Sequence, residues 1–139
     1  MKKAAVLFAL ALAALAEEKA RSIWDGVYTD EQAERGHIQY DAKCAECHGD
    51  ELEGDLVEAP ALSGGDFLWK FNGATLDHLF ERVHRDMPLT NSGTLSRKVS
   101  AELIAYMLKE SGLPAGKTEL PGDEKLLKSI RIDAEKPRM

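Results

Sequence analysis

The chain has 139 residues, the size of one domain, with 18 Lys and Arg against 24 Asp and Glu and a formal net charge of −6. Such an acidic balance repels nucleic-acid phosphates, so no nucleic acid is expected as a partner. The chain holds two cysteines, at positions 44 and 47, and a disulfide so short would close a tiny loop and staple nothing distant.

Lys2 and Lys3 precede an uncharged apolar run, Ala4 to Ala16, that ends in the small-x-small pattern Ala14-Leu15-Ala16. This is the layout of a secretory signal peptide over residues 1–16, cut after Ala16. The thirteen apolar residues fall short of the roughly 17–25 that a spanning helix needs, so no membrane span is expected in the mature chain. A short buried helix or a retained anchor is the competing reading. Export places the protein in the periplasm or otherwise outside the cytoplasm, with a charge of −8 once residues 1–16 are gone.

Residues 17–27 form a polar lead marked by Trp24. A first helix then opens at Thr29, where Gln32 three residues on makes a capping box and Asp30 and Glu31 suit the positive end of the helix dipole. Ala33, Gly36, His37, Tyr40 and Cys44 recur at helical spacing and carry one face into the cysteine pair. From Gly49 to Gly73, glycines and Pro60 break the periodicity, and so long a loop is usually functional. Thr75 caps a second helix with Leu76, Leu79, Phe80 and Val83 on one stripe.

Arg85 to Ser96 form another loop, broken by Pro88 and Gly93. A third helix follows Ser96 or Ser100; Val99, Leu103, Tyr106, Met107 and Glu110 share a stripe that Ile104 and Leu108 widen, and Gly112 then Pro114 stop it. The tail, 121–139, offers Leu126, Leu127, Ile130 and Ile132 as a strap across the surface. No strand-like alternation is long enough to build a sheet. The expected fold is all-α, a small domain over 28–120 with three main helices and long loops. Its apolar residues make a thin core, which requires something else at the centre.

Cys44-Ala45-Glu46-Cys47-His48 matches the attachment sequence of c-type haem. On a helical turn, positions i and i+3 share a side, so both thiols reach the two vinyl groups of one porphyrin and His48 swings beneath the iron. A thioredoxin-like redox pair would want a preceding strand and a βα setting. A zinc site would want a further ligand pair, and His37, His78 and His84 are not spaced for one. Met87, before Pro88 in a loop, is the candidate sixth ligand, and His84 is its rival. Met107 lies on a helix stripe and reads as core.

Residues 28–120 resemble a class I, single-haem cytochrome c. The resemblance rests on the haem motif, on Gly36 and Tyr40 with Tyr106 as a small-plus-aromatic helix crossing, on Pro60-Ala61-Leu62 twelve residues after His48, and on the Met87-Pro88 turn. It implies one covalent haem c on Cys44 and Cys47, with His48 and Met87 as axial ligands. It also implies that the Pro60 carbonyl receives the proton on the far nitrogen of His48, which orients the ring and raises its basicity. Trp69, with Phe67 and Phe71, stands as a candidate wall of the haem pocket. Asp50, Glu51, Glu53 and Asp55 would sit near the attachment turn, as a docking face or as a solvated loop.

The run from Leu95 to Pro121 looks like domains found beside quinoprotein (PQQ-dependent) dehydrogenases. The implied function is carriage of single electrons between redox proteins, from such a dehydrogenase to an oxidase or another cytochrome, with no catalytic residues. Thioether ligation closes the iron to small molecules and raises its potential. The alternative is a haem enzyme or gas sensor with a labile sixth ligand; a haem subunit that works only while docked to one dehydrogenase is a third.

Overall fold

A computed structural model describes residues 19–139; the stretch read as a signal peptide lies outside the described residues. Two helices of 14 residues, α1 (Asp30–Lys43) and α5 (Arg97–Glu110), set the frame. Each starts on a hydroxyl that accepts a backbone N–H: Thr29 from Gln32 at 3.2 Å and Ser96 from Val99 at 3.1 Å. The second half of the expected capping box is not made. The buried Gln32 side chain instead donates to the Leu120 carbonyl at 2.9 Å and accepts from its N–H at 2.7 Å. It thereby pins the segment after α5 against α1.

The two helices meet at Gly36, where a Cβ would lie 1.9 Å from the Glu102 carbonyl oxygen. Beside it Tyr40 and Tyr106 pack with centroids 5.4 Å apart and planes tilted by 56°, the aromatic geometry favoured by ring quadrupoles. The single stripe read for α5 is too narrow: every residue from Ser100 to Leu108 is buried. A helix covered all round is a central element. Glu102 is tolerated there because Arg35, at 2.8 Å, and Lys98 both reach its carboxylate.

Between the long helices the chain is more ordered than its glycines imply. A one-turn α2 (Ala45–His48) follows α1. Inside the expected loop stands α3 (Gly64–Lys70), which buries Phe67 and Leu68; two glycines in its first turn hide its period. α4 (Leu76–Glu81) buries Leu76, Leu79 and Phe80 and passes into a π turn over Arg82–Asp86. Thr75 holds the N-cap position of α4, but its hydroxyl bonds the Asp77 carboxylate.

Of the four apolar tail residues, three are core and not a surface strap, while Leu126 is 40% exposed. Leu127, Ile130 and Ile132 are at most 2% exposed. After α6 (Glu124–Leu127), β2 (Ile130–Arg131) pairs in parallel with β1 (Arg21–Ser22). The lead joins that core through Ile23 and Val27. Ile132 takes the Gly73 N–H at 2.9 Å and donates to Ala74 at 2.8 Å, so the tail grips the corner between α3 and α4. Among the described residues no helix is long and apolar enough to cross a membrane.

Candidate functional site

The cysteine pair sits where α1 hands over to α2. Cys44 N–H closes α1 on the Tyr40 carbonyl at 2.8 Å, and the Cys44 carbonyl then receives Cys47 and His48 at 3.2 and 2.9 Å. Residues 44–48 thus form one turn, which sets the thiols at i and i+3. Gly49, at φ +85°, ends it, and its carbonyl accepts the Tyr40 hydroxyl at 2.6 Å. No disulfide joins Cys44 to Cys47. Burial pushes the Cys44 thiol up to about 11, the opposite of what a nucleophilic redox cysteine needs.

His48 is buried, and the loop 54–60 holds it from two sides. Its carbonyl accepts Gly54 N–H at 2.7 Å, and its Nδ1 lies 2.8 Å from the Pro60 carbonyl. A carbonyl only accepts, so Nδ1 carries a proton, and Nε2 is the nitrogen whose lone pair the neutral ring offers to a metal. The loop is braced within itself. Asp55 N–H meets the Ala59 carbonyl at 2.6 Å, and one Asp55 carboxylate oxygen accepts Val57, Glu58 and Ala59 N–H at 2.7, 2.6 and 3.2 Å. Those backbone donors hold the Asp55 carboxyl below its ordinary range.

The candidate sixth ligands differ in how they are engaged. His84 Nδ1 lies 3.2 Å from the Ser100 hydroxyl, which donates to the Ser96 carbonyl at 2.9 Å and so accepts from the ring. The same ring stacks on Phe80 at 5.4 Å. His84 is therefore tied to α5. Met87, partly buried, follows the π turn, with its N–H on the Val83 carbonyl at 3.3 Å. π turns recur at functional sites.

Of the aromatics on α3, Phe67 faces the core and packs edge-on with Phe71 at 5.6 Å. Trp69 is 58% exposed. Asn72 accepts Ala134 N–H at 2.8 Å and so serves the tail. Sequence reasoning placed Gly54 and Asp55 in the loop but missed their role as braces behind Pro60. Their signal was a Gly-Asp pair in a turn, which says nothing of what the turn supports.

Two thiols on one turn and an imidazole with a free Nε2 are the donor set of a c-type haem, so the residues present fit that group. Residues 31–107 match the protein family described as "Cytochrome C oxidase, cbb3-type, subunit III". No curated protein matches the chain significantly. Among solved structures the chain is similar to one in the crystal structure of the sulfane dehydrogenase SoxCD from Paracoccus pantotrophus, with 23% identity and a TM-score of 0.53. The likeness covers 78% of this chain and 61% of that one, and it is a likeness of fold.

Proposed function

The chain belongs to the cytochrome c family described as cytochrome c oxidase, cbb3-type, subunit III, and from that membership we propose that it is an exported carrier of single electrons between redox proteins. Haem-based electron transfer is what the family implies. The finer reading assigns one haem c to this chain, joined through thioether bonds to Cys44 and Cys47. His48 and Met87 are its axial ligands. When bound, the haem supplies an iron that takes up and releases one electron.

The chain's own residues do the rest. His48 offers Nε2 because Pro60 holds the proton on Nδ1, at 2.8 Å; this hydrogen bond behind the ligand is the observation that carries the proposal. The position of Met87 directly after the π turn and before Pro88, the turn on which the family resemblance rests, supports Met87 as the other ligand. Trp69, exposed on α3, would stand as a wall of the haem pocket. The basic start and apolar run support export to the periplasm. The donor class implied by the sequence resemblance is a PQQ-dependent dehydrogenase, and the acceptor an oxidase or another cytochrome.

The test is the protein matured in a host that exports it and attaches haem. The expected product is coloured, its mass is that of residues 17–139 plus one haem, and its oxidised spectrum carries the weak sulfur-to-iron band. Met87→His should lose that band and lower the potential by on the order of 0.1 V, a fraction of the roughly 0.8 V that axial ligands command. His84→Ala should keep it. Colourless product of bare polypeptide mass would end the proposal, and prompt binding of carbon monoxide would replace carriage with an enzyme or sensor role.

A further inference from the structure

We propose that the tip of the 54–60 loop, Leu56 and Val57 with carboxylates around them, docks a redox partner whose matching face is basic around an apolar centre. The inference rests on the carrier reading and deepens it by giving the partner's surface chemistry. Leu56 and Val57 are 105% and 90% exposed. Covering such a side chain gains about 1.5–3 kcal/mol, yet the fold does not fold this pair inward. The tip is held out instead, by the Asp55 carboxylate that gathers three backbone donors. A preorganised apolar projection loses little entropy when a partner covers it.

Charge selects the partner. Between His48 and Lys70 the chain carries Asp50, Glu51, Glu53, Asp55, Glu58 and Asp66, and neither Lys nor Arg. Carboxylates elsewhere, such as Glu34 and Glu102 on the long helices and Glu119 in the segment after α5, meet Lys or Arg. Among the described residues, those at 50–58 form no ion pair. Covering uncompensated carboxylates is costly unless cations arrive with the partner. A second copy of this chain, or an anionic lipid surface, would bring like charge to the tip. The same loop bonds both the carbonyl and the ring of His48, so a partner seated there rests on the segment that braces the proposed ligand.

The test follows electron loss from the reduced holoprotein by stopped flow, to a strongly basic single-haem cytochrome c and, separately, to ferricyanide. Leu56→Ser with Val57→Ser should slow the reaction with the basic cytochrome about tenfold and leave that with ferricyanide unchanged. Glu51→Gln, Glu53→Gln and Glu58→Gln together should slow it by on the order of tenfold at low salt and flatten its salt dependence. Wild-type rates and salt slopes in both variants, with ferricyanide still reacting, would overturn the docking face alone. So would a variant effect confined to the protein's own oligomeric mass or to its binding of anionic vesicles. If the reduced wild type yields its electron to neither reagent, the carrier reading fails as well.

Discussion

His48 owes the orientation of its ring to a backbone atom twelve residues further on. Pro60 presents its carbonyl because the chain turns at Gly54, where φ is +66° and a Cβ would stand 2.4 Å from the Ala59 oxygen and 2.5 Å from the Pro60 carbonyl carbon. Gly54→Ala should cost about 1–3 kcal/mol from the left-handed backbone alone. It should also shift the redox potential of the holoprotein as His48 loses its orientation. An unchanged potential beside a lowered melting midpoint would leave the loop a purely structural role. The spacing from His48 to Pro60 was legible because a family pattern records it. Gly54 was not, since its need depends on which atoms the closed loop brings together.

At the scale of elements, the crossing of α1 and α5 carries the strongest sequence signal. Gly36, Tyr40 and Tyr106 were legible together, because close approach demands a missing Cβ and neighbouring aromatics fill the remaining space. Gly36→Ala would drive its methyl into the Glu102 backbone. The expected loss is about 3 kcal/mol or more, read from denaturant unfolding of the holoprotein. Glu102 was not legible as a buried acid, since its partner Arg35 lies 67 positions away. Burial pushes its carboxyl up, but hydrogen bonds from Lys98 and Arg35 and their charges outweigh this, holding it below the ordinary 4.5. A lowered folded value means stability that is complete above about pH 4.5 and lost as pH falls through the folded value. Glu102→Gln should therefore cost about 1–2 kcal/mol at neutral pH, because the exposed ends of Arg35 and Lys98 regain water. The gap from wild type should close in acid, and a gap equal at pH 3 and pH 7 would contradict this account.

For the whole molecule, the two ends of the described chain meet. β1 and β2 pair, the Ser22 hydroxyl bonds Asp133 at 2.5 Å, and the Trp24 indole N–H reaches the Asp133 carbonyl at 3.0 Å. Behind this clasp Leu127, Ile130 and Ile132 complete the core around α4. Ile132→Ala should destabilise the holoprotein by about 2–5 kcal/mol, measured as a fall in thermal midpoint. A surface strap would lose far less. The tail was misread because its three buried positions span too few residues to show a period, and its partners lie far upstream, as Ser22 and Asp133 are separated by 111.

What the amino-acid order determined unaided was local: where α1 begins, how Cys44, Cys47 and His48 share a turn, and which face of α1 lacks a Cβ. Those features depend on atoms within about one helical turn, whose geometry is the same in any fold. Tertiary structure alone decided the direction of the Pro60 carbonyl, the attachment of His84 to Ser100, the burial of the tail and the exposure of Leu56 and Val57. Each depends on closing long stretches of chain, and the closure is decided by the summed packing of the whole core.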